Sequence, residues 1–121
     1  MSIEVPPFPG TNHFIPLGQA IDMTTKYRKD KEQILDPEIR DEGILPLSET
    51  FNRDAFDSLL AQEGCEGIRL YYSMDDKQRL HIIAVGVNSR NEDMIPNNEA
   101  IIVETAVRCP AQCPPESVLN S

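Results

Sequence analysis

An α+β fold is predicted for this chain by three observations. Two segments of helical periodicity occupy the first half of the sequence. Two alternating runs, Gly67 to Met74 and Arg79 to Asn88, follow them and are joined by a short charged turn. A third β-prone run, Ala100 to Val107, comes next. Helices first and sequential strands second suggest two N-terminal helices packed on one face of a small antiparallel sheet. The sheet is expected to be a three-strand meander with room for short edge strands. At 121 residues the chain is expected to form one domain, residues 1–121. It carries a proline-rich N-terminal arm over 1–16 and a Cys/Pro-rich C-terminal tail over 108–121.

The arm contains Pro6, Pro7, Pro9, Gly10 and Pro16, which disfavour regular structure. Ile3 and Val5 could form a short edge strand. Phe8, Phe14 and Ile15 are apolar enough that the arm should lie across the domain. Leu17 to Leu35 reads as the first helix. Ala20, Ile21, Met23, Thr24 and Tyr27 recur at spacings of three and four and make one stripe. Asp36-Pro37 ends it, because the residue before a proline is pushed out of the helical region. Residues 36–50 are a long connection, and Ile44, Leu45 and Leu47 suggest that part of it packs inward, with a short strand possible there.

The second helix begins at a clear signal. Asn52 is a good N-cap, and Phe51 with Phe56 has the spacing of a hydrophobic staple. Phe56, Leu59 and Leu60 form its apolar stripe, and Gly64 is the natural left-handed stop. In the first strand Ile68, Leu70 and Tyr72 point one way and Arg69 and Tyr71 the other. Asp75, Asp76 and Lys77 make the turn. The second strand is apolar on both faces, so it should be central. Residues 88–99 read as a polar loop. The face carrying His81, Ile83, Val85 and Val87 should be covered by a partner subunit, the arm or the 36–50 connection, and a homodimer is the preferred answer.

Twenty acidic residues oppose 11 basic ones, for a formal charge of −9. That disfavours nucleic-acid binding, which needs a concentrated basic surface. The basic cluster Lys26, Arg28, Lys29 and Lys31 is interleaved with Asp30 and Glu32 and reads as a solvated helix face. No stretch approaches the roughly 20 apolar residues that span a bilayer. The first residues lack a basic region and an apolar run, so no signal peptide is expected. The reading is a soluble, cytoplasmic protein with no membrane partner.

Cys109 and Cys113 are the first candidates for chemistry. Their Cys-x3-Cys spacing, with a proline after each, would stack two thiols on one side of a single turn. The pair could ligate a metal, form a short-loop disulfide or stay as packed thiols. A zinc site wants four ligands, so Cys65, His13 or His81 would have to complete it; no other cofactor is expected. Cys65 follows Gly64, where a lone cysteine is usually a small buried hydrophobe. A second candidate is a polar set on one sheet face: Arg69, Tyr71, His81 and Glu104 combine a cation, a phenol, an imidazole and a carboxylate. Together they could hold a small anion or supply an acid-base pair; the plainer reading is a cross-strand ladder of half-exposed side chains. The Asp75-Asp76 and Asn91-Glu92-Asp93 groups read as turn residues, and no calcium loop, phosphate-binding loop or Gly-x-Ser-x-Gly is present.

The strings LLAQEGCEGIRLYY, HIIAVGVNSRNED and CPAQCPPESVLN resemble a family of small uncharacterised bacterial proteins. Its pattern is a Q-x-G-C-x-G-I-R-x-Y-Y segment, a V-G-V-[DN] strand and a closing C-P-x-x-C tail. Gln62, Gly64, Cys65, Gly67, Arg69, Tyr71, Tyr72, Gly86, Val87, Asn88, Cys109, Pro110 and Cys113 match it, over about the C-terminal half. The family has no assigned activity, so the resemblance transfers no catalytic residue. It implies that Cys65, Arg69 and the Cys-Pro tail belong to one recurring design. The leading expectation is a non-enzymatic, homo-oligomeric binding or protein-interaction module. The alternatives are a metal or thiol-redox protein using Cys109 and Cys113, or a small-ligand binder or enzyme using Arg69, Tyr71 and His81.

Overall fold

A computed structural model of the chain describes residues 13–95, 107–109 and 112–121. In chain order the elements are α1 (Leu17–Asp30), β1 (Ser48–Thr50), α2 (Arg53–Leu60), β2 (Gly67–Met74), β3 (Leu80–Val87) and β4 (Val107–Cys109). Short 3-10 turns at Lys31–Ile34 and Pro37–Ile39 follow α1. The fold is mixed α+β, and the described residues form two small antiparallel two-stranded sheets, β1–β4 and β2–β3.

The β2–β3 hairpin is the centre of the molecule. Gly67 lies opposite Val87, Tyr71 opposite Ile83 and Met74 opposite Leu80. Asp75 organises its turn: one carboxylate oxygen accepts from the backbone N–H groups of Lys77 at 2.8 Å and Arg79 at 3.0 Å. Gln78, at φ 64°, takes the left-handed step that reverses the chain. After β3 a second tight turn forms on Asn88, whose side-chain oxygen accepts from Arg90 N–H and Glu92 N–H. The chain then runs back antiparallel beside β3, with a bridge between Val87 and Asp93 and a bond from Met94 N–H to Gly86 O at 2.9 Å. The polar loop expected over 88–99 therefore opens with a structured return.

β3 is held on both edges. At its start, Leu80 N–H donates to Ile44 O at 2.7 Å. Ala84, Val85, Gly86 and Val87 are all buried, as a central strand requires. α2 covers the even-numbered face near Gly86. Its start is built as the sequence suggests. Asn52 accepts from Ala55 N–H at 3.2 Å, and the Phe51 and Phe56 rings sit 5.3 Å apart. Leu59 is fully buried. Leu60, expected beside it, is exposed. The helix has only two turns, and adjacent residues lie about 100° apart, so Leu60 turns to solvent.

α1 goes elsewhere. None of its residues is fully buried, and Met23, expected in its apolar stripe, is exposed. The helix meets the 46–48 segment and the tail: Tyr27 O–H donates to Pro46 O at 2.6 Å, and Arg28 donates to Leu119 O at 2.5 Å and Ser121 O at 2.6 Å. A polar tail against the helix leaves less apolar surface to bury than a sheet would. The helix stays α-helical to Asp30 and tightens into a 3-10 turn before Asp36-Pro37.

The connection 36–50 packs inward through Ile44 and Pro46, both buried, and then forms β1. Its partner is β4, with Ser48 opposite Cys109 and Thr50 opposite Val107. The tail was expected to leave the sheet from Arg108 onwards. Arg108 and Cys109 are strand residues instead, because the first residue without an N–H is Pro110. Of the third strand expected over 100–107, only Val107 is described, and it pairs with β1. The rest of that strand, Glu104 included, and residues 1–12 of the arm lie outside the described residues. Within the arm's end, Phe14 and Ile15 are exposed.

Candidate functional site

Three clusters hold the candidate residues. The first crosses the odd-numbered face of the hairpin. Arg69 stands opposite Val85 on β2, and Asp93 is bridged to Val87 on the far side of β3. Arg69 must therefore reach across β3 to form its ion pair with Asp93 at 2.5 Å. It also donates to the Asn91 backbone oxygen at 3.1 Å and to the Asn91 side chain. Tyr71 O–H donates to the other Asp93 oxygen. That hydrogen bond, aided by burial, raises the Tyr71 pKa above the ordinary tyrosine value. Burial works against the Arg69 charge, but its bonds to Asp93 and Tyr71 prevail and raise its pKa.

Val85, the cross-strand partner of Arg69, and Val87, bridged to Asp93, are 3% and 2% exposed in the single chain. That face was expected to be covered by a partner subunit, the arm or the 36–50 connection; Val85 and Val87 on it are buried within the single chain, and Ile83 is half-buried.

The second cluster is at the other end of β3. His81 was expected near Arg69 or Tyr71. The register instead puts His81 opposite Ser73, and its ring turns toward the start of the hairpin and β1. His81 Nε2 lies 2.8 Å from Asp75 Oδ2, and Nδ1 lies 3.7 Å from Glu49 Oε2. Asp75 also pairs with Arg79 at 2.9 Å. Burial opposes ionisation of Asp75, but the N–H groups of Arg79 and Lys77 and the side chains of His81 and Arg79 outweigh it. The carboxyl is held far below the usual aspartate range.

The Glu49 side chain is 1% exposed. Its Oε1 accepts from Ile82 N–H at 3.2 Å, which satisfies an outer-edge donor of β3. Its Oε2 has no hydrogen-bond partner and is 3.7 Å from Arg108 Nε. Arg108 spends its other capacity on three carbonyls: Leu80 at 3.0 Å, Gly43 at 2.6 Å and Ile44 at 3.1 Å.

Both nitrogens of the His81 ring thus face carboxylates, and none is left directed at a substrate. Arg69, Tyr71 and His81 share a sheet face but belong to two separate networks. Sequence reasoning did not single out Glu49, Asp93 or Arg108. A signal was present for Asp75: an aspartate that opens a hairpin turn with Arg79 and His81 four and six positions on.

The third cluster is the tail. Cys109 and Cys113 form a disulfide. Cys109 is buried at 2% exposure on β4, whereas Cys113 is exposed. The pair lines a pocket of about 450 Å³ with Leu47, Pro114, Glu116 and Asn120. A second pocket of about 330 Å³ shares Leu47, Pro114 and Asn120 and runs on toward Tyr27 and Arg28 of α1. Tyr27 has its pKa raised by burial first and by the nearby Glu32 carboxylate second.

Cys65 is a free thiol away from this groove. Its Sγ lies 3.3 Å from Gly67 O and close to Gly86. Among the described residues no group of three or more His, Cys, Asp and Glu is arranged to hold a metal ion, and no helix is long and apolar enough to cross a membrane.

The chain was compared with protein-family models, with curated proteins and with solved structures. None of the three comparisons gives a match.

Proposed function

We propose that the protein is a small non-enzymatic binding module. Its ligand groove lies between α1, β1 and the tail, and its Cys109–Cys113 pair makes the groove responsive to thiols. One observation carries this reading: the disulfide lines the larger pocket, with one sulfur exposed and the other buried on a strand. Opening the bond removes the covalent tie between Cys113 and β4 and leaves the Gln112 N–H to Arg108 O bond at 2.9 Å as the remaining hold there. The tail also carries Leu119 and Ser121, which accept from Arg28 on the opposite wall. The closed loop has five residues, so the entropy it removes from the unfolded chain is worth only about 2 kcal/mol. The bond is thus a local latch on the groove and a minor contributor to global stability.

The chemistry is ordinary thiol–disulfide exchange. An external thiolate attacks Cys113 Sγ, the S–S bond breaks, and Cys109 departs as a thiolate that takes up a proton. A second external thiol then attacks the mixed disulfide and releases Cys113 as a thiol. Two external thiols are oxidised to one disulfide, and the protein pair is reduced. In the cytoplasm, the location we propose, the reducing poise favours the dithiol, and oxidation closes the latch.

The test is asymmetric alkylation. In Cys109→Ser, Cys113 is expected to react with iodoacetamide at close to the rate of a free cysteine. In Cys113→Ser, Cys109 is expected to react at least tenfold more slowly. Backbone amide shifts of Leu47, Ser48 and Arg28 should move when the wild type is reduced. Equal alkylation rates, or unmoved groove shifts on reduction, would overturn the reading.

A further inference from the structure

Among the described residues, β2 has one open edge. On β3 the backbone groups of Leu80 and Gly86 point away from the hairpin, toward Ile44 and Met94. Even-numbered residues of β3 therefore face outward and odd-numbered ones face β2. Through the register, odd-numbered residues of β2 bond to β3, and Ile68, Leu70, Tyr72 and Met74 turn their N–H and C=O groups outward. Among the described residues nothing pairs with that edge. The side chains of the same residues form a stripe on one face: Leu70 is 49%, Tyr72 77% and Met74 64% exposed.

Natural sheets protect an edge of this length with lysine, proline, a bulge or an inward-pointing charge. β2 has none of these. Its one charged residue, Arg69, is tied to Asp93 on the opposite face.

We propose that β2 is the interface for a second copy of this chain, paired antiparallel about a two-fold axis at Tyr72. Charge limits where two copies can meet, and the self-complementary segment selects the occupant. Each chain carries a formal −9, so two copies repel wherever acidic surfaces meet. From Gly67 to Met74 the edge offers no free charge. The segment is also self-complementary. Pairing about Tyr72 puts Tyr72 against its symmetry mate and Leu70 against Met74 of the second copy, so each exposed apolar side chain gains an apolar cross-strand neighbour. The two-fold operation closes the assembly at two copies and joins two hairpins into a four-stranded sheet.

The contact is small. One strand edge and three exposed side chains per copy are well short of the ~20–30 residues a side of a standard interface. The dimer is therefore concentration-dependent, with a Kd on the order of 10–100 µM. This association uses neither the groove nor the disulfide.

Sedimentation velocity under reducing conditions, from about 5 to 500 µM, tests it. The wild type should pass from monomer to dimer across that range. Tyr72→Lys should stay monomeric throughout with an unchanged circular dichroism spectrum, and Met74→Lys should weaken association at least tenfold. A wild type that stays monomeric at the highest concentration overturns the proposal. So does a dimer that persists undiminished in a folded lysine variant. Should neither variant fold, hydrogen exchange on the wild type decides. Protection of the Leu70 and Tyr72 amides that rises with concentration supports the interface, and protection independent of concentration overturns it.

Discussion

Adding one methyl group at Gly86 probes the packing that seats the hairpin against α2. A Cβ at this position would lie 2.9 Å from Gln62 Nε2, 3.0 Å from Cys65 Sγ and 3.5 Å from Leu59 O. The first distance is shorter than a carbon tolerates, and the second is tight enough that the sulfur must give way by a few tenths of an ångström. Both atoms end side chains, so they can move, but both are engaged. Gln62 Nε2 donates to Leu59 O at 3.1 Å, and Cys65 Sγ lies 3.3 Å from Gly67 O. Displacing the amide forfeits a hydrogen bond worth about 1 kcal/mol. Overpacking adds some of its usual ~1–3 kcal/mol. The stiffer unfolded chain of an alanine variant returns about 0.4–1 kcal/mol. Gly86→Ala should therefore lose about 1–2 kcal/mol, a fall in Tm of roughly 4–10 °C for a chain of this size. Urea denaturation and calorimetry in reductant measure it. The double variant Gln62→Ala/Gly86→Ala should cost less than the sum of its singles, because the clash and the amide bond are the same contact. An unchanged or raised Tm in Gly86→Ala would refute this account of the α2–hairpin seam.

Asp75→Asn should destabilise the hairpin in a pH-dependent way. The Asp75 carboxyl has a folded pKa below its unfolded value. Its contribution is therefore fully present above about pH 4, the unfolded value, and is lost as pH falls toward the folded one. The Tm gap between wild type and Asp75→Asn should be constant near neutrality and shrink as pH falls below about 4; a gap that widens in acid would contradict the turn network. Arg108→Met removes the donor to three carbonyls and leaves the buried Glu49 carboxylate without its guanidinium neighbour. A loss of about 3–5 kcal/mol is expected from chemical denaturation, with partial recovery in Glu49→Gln/Arg108→Met. A loss below about 1 kcal/mol would mean that Arg108 is solvated in solution.

The parts of this fold that were legible in the sequence are those decided by neighbours along the chain. The Asn52 cap and the Phe51–Phe56 staple depend on residues within a few positions, and Gly64 is left-handed at φ +87° as expected, although α2 already ends at Leu60 with Ala61 as its C-cap. β2 runs over the residues expected, and β3 starts and stops one residue inside the expected limits. Alternation identified which side chains share a face. It could not say which of them touch, because that depends on register and on the later path of the chain. Arg69 finds Asp93 across 24 positions, and Glu49 reaches Ile82 across 33. Neither partner carries a local mark. α1 shows the converse. Its spacing predicted a buried stripe, but periodicity says only that a helix has a face, and here that face meets the 46–48 segment and the tail. The spacing of Cys109 and Cys113 allowed a metal, a disulfide or free thiols, and proximity alone could not choose among them. Gln62 and Cys65, far from Gly86 in sequence, meet it in space, and no local signal announces that contact.

The two polar networks explain why so small a core holds a single arrangement. β3 is apolar on both faces, and its alternation alone would let it slip against β2 by two residues without exposing a polar side chain. Each end of the strand is instead pinned by a charge pair that slippage would break. At the Val87 end, Arg69 of β2 grips Asp93 beyond β3, which ties three successive chain segments to one register. At the Leu80 end, Asp75 holds His81, while Arg108 and Glu49 join β4 and β1 to the backbone of β3. The groove and the disulfide hang from this second pin, since Cys109 follows Arg108 on the same strand and Leu47 N–H donates to Cys109 O at 2.8 Å. On the proposed function, a thiol that opens the disulfide would act on the tail beyond β4 while Arg108 keeps β4 in place. The proposed groove would then change its shape without unfolding the hairpin.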